Sequence, residues 1–331
     1  MDNKLLEVKN LSVSFKTYAG IVKAVRGIDF NLNKGETLAI VGESGCGKTV
    51  TAKAIIGILS KHQSMIGDES EIYLKGRDLL KLKEKEMMGV RGNEISMIFQ
   101  DPMTSLNPTM KIGSQIAECM SLHTNKSRVE IKKDVLELLE LVKIPNPEIR
   151  MKQYPHEFSG GMRQRAVIAI ALACYPDVLI ADEPTTALDV TIQAQIMDLM
   201  SDIKKKLNTS IILVTHDLGV VAAHAERIQV MYAGKIVERG TVDEIFYNPK
   251  HPYTMALLKS VPTLEMKNKE NLYSLLGTPP DLLNPPTGCP FAPRCEHGMR
   301  VCRMIEPSIY KYSDTHEAQC WLLHQKFQEA L

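Results

Sequence analysis

Eight residues stand out for the chemistry that their types and spacing allow: Gly42-Glu43-Ser44-Gly45-Cys46-Gly47-Lys48-Thr49 fits the pattern G-x-x-x-x-G-K-[ST]. Glycines let the backbone turn its N–H groups inward around phosphates, and the positive end of a following helix adds to the attraction. Lys48 then reaches the outer phosphate oxygens and Thr49 offers a hydroxyl to Mg²⁺. Gly42 to Thr49, with Val50 opening the helical run 50–59, are therefore candidate nucleotide-binding residues, and Cys46 takes a free position of the pattern. A second candidate is Asp182-Glu183, which closes an apolar run. Asp182 could hold Mg²⁺ through water and Glu183 could polarise an attacking water, or the two could be N-cap acids of the next helix. Gln100 ends another apolar run, where its amide could reach Mg²⁺ or that water, and His216 follows a third. Ser159-Gly160-Gly161 reads as an N-cap and a bare helix start, which offers N–H groups and a hydroxyl to an anion or simply caps a helix.

These residues need a scaffold that brings strand ends to one edge. Runs 37–41, 177–181 and 210–215 lack polar alternation, as expected of parallel strands buried on both faces. Between the last two, Ile192, Ile196, Leu199, Met200, Ile203 and Leu207 recur at helical spacing, giving a strand–helix–strand crossover and an α/β fold class. Residues 5–15 and 21–32 alternate as an antiparallel hairpin turning at 16–20, and 230–238 read as another turning at Ala233-Gly234. Residues 101–155 form a helical insertion in which 130–142 is one amphipathic helix. After residue 238 prolines accumulate, including Pro249, Pro252, Pro262 and Pro285, so an irregular tail is expected.

The chain has 331 residues with 40 Lys and Arg against 39 Asp and Glu, a net charge of +1 that argues against binding nucleic acid or anionic lipid by bulk charge. Its longest uncharged apolar stretch, 166–176, is too short to span a bilayer, and Met1-Asp2-Asn3-Lys4 begins no signal peptide. A cytosolic protein is expected, working at a membrane only through a partner.

Phe158-Ser159-Gly160-Gly161-Met162-Arg163-Gln164-Arg165 resembles the signature motif of ABC-transporter ATPases. The phosphate loop, Gln100, this motif, Asp182-Glu183, Ala187-Leu188-Asp189 and His216 follow one another in that family's order, so the resemblance covers about residues 4–245. It implies a P-loop NTPase core with an N-terminal antiparallel β subdomain and a helical subdomain at about 101–165. It further implies ATP and Mg²⁺, the metal held by Thr49, Gln100 and Asp182, and a head-to-tail pairing in which Ser159, Gly160 and Gly161 serve the partner's nucleotide. By the same resemblance Glu183 is the general base, His216 the γ-phosphate sensor, Gln100 the link to the membrane subunit and Asp189 a contact across the pair. Tyr18, at the hairpin tip, is the aromatic expected to stack on adenine, with Phe15 the weaker choice.

The blocks 157–165, 100–108, 248–254 and 288–295 together resemble the ATPase subunits of dipeptide and oligopeptide importers, a pattern that nickel importers share. This implies two membrane-spanning permease subunits, a sibling ATPase subunit, an extracytoplasmic peptide-binding protein acting indirectly, and a peripheral position on the cytoplasmic face of the membrane. A soluble ABC ATPase acting on DNA or ribosomes is the rival, but such proteins usually carry two cores or long basic or coiled-coil insertions. The expected division is an ATPase domain, 1–245, and a C-terminal extension, 246–331.

Four of the seven cysteines, Cys289, Cys295, Cys302 and Cys320, fall in that extension. Their spacing lacks the close pairs of structural zinc sites, and from the residues alone a metal–sulfur cluster, zinc or unligated thiols all stay open. The resemblance to some dipeptide-importer ATPases implies a [4Fe–4S] cluster that staples the tail.

Overall fold

The computed structural model describes residues 3–186, 188–260 and 275–324, so Ala187 and Pro262 lie outside the described residues. Contacts divide the chain into two units.

The first unit comprises Met1–Leu5, Leu32–Thr37 and Asp78–Val214. Its strands Ile95–Ile98 and Val178–Asp182 pair in parallel, from Ile95 opposite Val178 to Ile98 opposite Ala181, and the second pairs with Ser210–Thr215 through Asp182 opposite Val214. Every residue of the three is buried, which explains the unbroken apolar runs. The middle strand runs one residue further than the sequence suggests and takes in Asp182. The crossover helix Val190–Leu207 is capped by Asp189, buries Ile196, Leu199, Met200 and Ile203, and ends at Asn208 in the left-handed conformation. Helices Ile112–His123, Arg128–Leu141 and Gly160–Ala171 supply the helical portion. Ser127 and Glu130 form a capping box, so the middle helix starts two residues earlier than its apolar periodicity suggests.

The second unit comprises Leu6–Asn31, Leu38–Arg77 and Thr215–Leu331. Strands Lys4–Thr17 and Gly20–Asn33 are neighbours in one sheet, as the hairpin reading expects. Strand Glu71–Leu74 joins the first antiparallel, with Leu6 opposite Leu74. Strand Thr37–Val41 pairs in parallel with Arg227–Tyr232, which turns through Ala233 and Gly234 into the antiparallel Lys235–Thr241. Both turn residues have positive φ, 48° and 80°, the combination that a two-residue type I′ hairpin demands.

Among the described residues, the tail holds regular structure that its prolines do not suggest. Strand Glu317–Ala318 adds to Lys235–Thr241 with Ala318 opposite Glu238, and Tyr310–Lys311 adds beyond it. Phe291, Ala292, Cys289 and Cys302 share one core with Val230, Tyr232, Val237, Ile245 and Tyr253. Glu238, 1% exposed, accepts the N–H groups of Lys250 at 2.6 Å and His251 at 2.9 Å, and lies 2.8 Å from His316 Nε2. The contacts therefore carry the tail and the hairpin Arg227–Thr241 in one unit. Among the described residues no helix is long and apolar enough to cross a membrane.

Candidate functional site

The phosphate loop leaves the strand Thr37–Val41 and enters the helix Lys48–Ile55, two residues before the expected start. Two of its glycines are required by space as well as by backbone freedom. Gly42 has φ 153° and a Cβ there would lie 2.1 Å from the Met231 carbonyl oxygen, while Gly47 has φ 109° and a Cβ would lie 2.5 Å from that of Ala24. Lys48 is 5% exposed, and its ammonium donates to the loop's own carbonyls, Gly42 O at 2.7 Å and Glu43 O at 3.1 Å. Cys46 is buried, which pushes its thiol above the usual range. Ser44 and Gly45 are exposed, and Thr49 and Val50 are half-buried at the helix start.

Gln100, Asp182, Glu183, Ser159, Gly160, Gly161 and Asp189 all belong to the first unit. The N-cap reading of the acidic pair fails, because the next helix begins only at Val190 and its cap is Asp189, whose carboxylate accepts the Ile192 N–H at 2.9 Å. Asp182 instead ends its strand at 2% exposure. Glu183 has φ 48°, a conformation uncommon for a side-chain-bearing residue, and is fixed by its N–H bond to Val214 O at 2.8 Å. Its carboxylate accepts the Gln100 amide at 2.8 Å and the Thr186 hydroxyl at 3.0 Å. The structure thus joins Gln100 to Glu183 and adds Thr186, which carried no signal in the sequence beyond lying three residues on.

Ser159 caps the helix Gly160–Ala171, its hydroxyl accepting the Met162 N–H at 3.4 Å. Gly161 also has a packing role, since a Cβ there would lie 3.0 Å from Ile192 Cγ2. His216 is exposed directly after the strand Ser210–Thr215, Tyr18 is fully exposed between the two long N-terminal strands, and Phe15 is half-buried.

Sequence reading missed a pair of contacts on Glu43. Its N–H donates to the Tyr253 hydroxyl at 2.9 Å, and its two carboxylate oxygens accept from Arg294 at 2.6 and 2.9 Å. Two hundred and fifty-one positions separate Glu43 from Arg294, beyond the reach of any local pattern.

Cys289, Cys295, Cys302 and Cys320 line one small cavity with His251, Phe291 and Trp321. All four thiols are free, and burial pushes Cys289 up to about 11 and Cys320 up to about 12. Among the described residues no group of three or more His, Cys, Asp or Glu stands ready to hold a metal ion, so the iron–sulfur cluster expected from resemblance is not shown.

Two families match the sequence: "ABC transporter" over residues 25–186, and "Oligopeptide/dipeptide transporter, C-terminal region" over residues 237–302. The oligopeptide transport ATP-binding protein OppD of Bacillus subtilis is 61% identical over 321 residues, covering 97% of this chain and 89% of that protein. The dipeptide transport ATP-binding protein DppD of the same organism is 56% identical over 328 residues, covering 99% and 97%. Among solved structures, the cassette MJ0796 bound to ADP and Pi matches with a TM-score of 0.64 at 26% identity, covering 72% of this chain and 98% of that one. cbiO1 from Clostridium perfringens, part of an ABC transporter complex, matches with a TM-score of 0.64 at 28% identity, covering 75% and 92%. The fold is that of the ABC ATPase cassette, mixed α/β with parallel and antiparallel sheets, and the chain belongs to the ATP-binding subunits of the oligopeptide/dipeptide ABC transporter family.

Proposed function

We propose that this chain binds and hydrolyses ATP to power peptide uptake through partner membrane subunits. The observation that carries the reading is the fixed carboxylate of Glu183, held at a strand end by Gln100 and Thr186. In hydrolysis, water oxygen bonds to the γ-phosphorus, the bond from that phosphorus to the β,γ-bridging oxygen breaks, and ADP and phosphate form. Glu183 takes the proton that the water gives up. Lys48 meets the charge on the outer phosphate oxygens, and the loop from Gly42 to Thr49, continued by Val50, wraps the phosphates with its N–H groups, that of Glu43 excepted because it donates to the Tyr253 hydroxyl. His216 senses the γ-phosphate, and Tyr18 stacks on adenine. Ser159, Gly160, Gly161 and Asp189 act in the paired state with a sibling ATPase.

Mg²⁺ suits the oxygen donors available, the Thr49 hydroxyl, the Asp182 carboxylate and the Gln100 amide oxygen. Bound there it would neutralise phosphate charge. The chain works on the cytoplasmic face against two permease subunits, a peptide-binding protein acts on the far side, and no nucleic acid takes part. Tagged protein purified from membranes should bring down two permeases and a second ATPase, and the complex should hydrolyse ATP faster with peptide and its binding protein. Recovery with ribosomes or DNA, or stimulation by nickel instead of peptide, would reject the assignment.

A [4Fe–4S] cluster on Cys289, Cys295, Cys302 and Cys320 belongs to the same reading. What supports it is that four thiols, the ligand type such a cluster takes, line one cavity. His251 adds support. Burial lowers its pKa to about 4, and its Nδ1 accepts the Tyr253 N–H at 3.1 Å, so the ring's proton sits on Nε2. That buried nitrogen has no partner among the described residues, and its ring borders the same cavity, where a sulfur-rich centre would accept the bond. The cluster, when bound, would cross-link the extension. Protein purified without oxygen should be brown and contain iron and acid-labile sulfide in equal amounts, both lost in Cys295→Ser. Colourless, iron-free protein, or zinc in its place, would end the proposal.

A further inference from the structure

We propose that Arg294, together with Tyr253, is a positioning residue for ATP binding: from the C-terminal region they grip Glu43 and hold the start of the phosphate loop in its receptive shape. The inference rests on the ATPase reading and adds two residues to it.

All of the residues concerned lie in the second unit. Arg294 ends the short helix Ala292–Arg294, and its side chain is 5% exposed. A guanidinium buried to that degree is stable only when its donors are used. Here each nitrogen is engaged. Nε donates to Leu276 O at 3.0 Å, Nη1 to Glu43 Oε2 at 2.6 Å and the Tyr232 hydroxyl at 3.2 Å, and Nη2 to Glu43 Oε1 at 2.9 Å and Leu275 O at 3.2 Å. The five donors of a guanidinium are thereby matched with five bonds, two of them the parallel pair that fits a carboxylate. Glu43 holds the guanidinium's pKa above its usual value, the direction expected of a pair that stays charged.

The second grip acts on the backbone. Tyr253 is fully buried, with its ring 4.6 Å from that of Tyr232 and 5.3 Å from that of Phe291, so its hydroxyl is a fixed acceptor for the Glu43 N–H. Glu43 is therefore held at main chain and side chain by groups 210 and 251 positions away. The third contact leads to the chemistry: the Glu43 carbonyl accepts from the Lys48 ammonium, the group that meets the outer phosphates. A shift at Glu43 moves an acceptor that orients Lys48. The side chain of Glu43 thus serves Arg294, which gives this loop position a use other than nucleotide contact.

The test is a KM-against-kcat comparison on the purified chain with its transporter partners. Arg294→Gln should raise the KM for ATP about tenfold while kcat falls no more than about twofold, because the loop's shape contributes to ground state and transition state alike. Arg294→Lys, which keeps the charge and loses the parallel pair, should fall between. Glu43→Gln should raise KM similarly, and the double variant should be no worse than either single one, the signature of coupled residues. Should Arg294→Gln fail to fold, Glu43→Gln with its half-buried side chain provides the same reading. A wild-type KM in a folded Arg294→Gln or Glu43→Gln protein, or additive effects in the double variant, would overturn the proposal. An unmodified protein that neither binds nor hydrolyses ATP would instead overturn the ATPase reading itself.

Discussion

Glu183→Gln is expected to stall ATP hydrolysis by about a hundredfold to ten-thousandfold while leaving ATP bound, the range that a positioned general base contributes. Glutamine matches glutamate in shape, so it can still accept from the Thr186 hydroxyl and the Gln100 amide, which now meet Glu183 at 3.0 and 2.8 Å. It cannot take the water's proton. The loss should fall on kcat, with ATP affinity held within a few fold, because the phosphate loop is untouched. Retained ATP should also trap the closed pair, so the variant should elute as a dimer with ATP and as a monomer or opened complex after washing. Phosphate release measured alongside retained nucleotide decides the matter, and turnover at the wild-type rate would remove Glu183 from the role of base.

Lys48→Ala is expected to act at the other stage and abolish tight ATP binding. The ammonium is buried and already bonded to two loop carbonyls, so the protein has met the cost of bringing this charge out of water. Charge-assisted hydrogen bonds are worth roughly 1.5–3 kcal/mol each, so losing two to phosphate oxygens weakens affinity by about a hundredfold or more. Alanine also leaves Gly42 O and Glu43 O without that donor, which loosens the loop. Equilibrium binding of a fluorescent ATP analogue is the measurement, and unchanged affinity would show that the lysine is not a phosphate ligand. The two variants separate cleanly, one holding ATP without splitting it and the other failing to hold it.

Legibility in the sequence followed the range of the interactions. The strands were readable because burial on both faces leaves no polar alternation, and the hairpin at Ala233-Gly234 because few residues tolerate two positive φ angles in succession. The phosphate loop was readable because its glycines, lysine and threonine act through a contiguous backbone. Asp182 and Glu183 were readable as residue types at a strand end, but setting aside the helix cap needed the six residues that separate Glu183 from the helix at Val190. Thr186 became visible only through the turn that brings its hydroxyl back to Glu183. Arg294 and Tyr253 were unreadable in principle, since no local periodicity ties an arginine in a proline-rich stretch to the second residue of a phosphate loop. The two-residue strand Glu317–Ala318 is too short for any alternation to register.

The buried carboxylate of Glu238 constrains how such a chain can be rearranged by recombination. It stands on the strand Lys235–Thr241, yet the donors that satisfy it come from Lys250, His251 and His316. A crossover falling after that strand, which would attach some other carboxyl-terminal segment, leaves a buried carboxyl group without the partners that satisfy it and strips Tyr232 and Val237 of their cover. Inheritance of the extension is therefore tied to the hairpin before it, and the heritable module begins no later than Arg227.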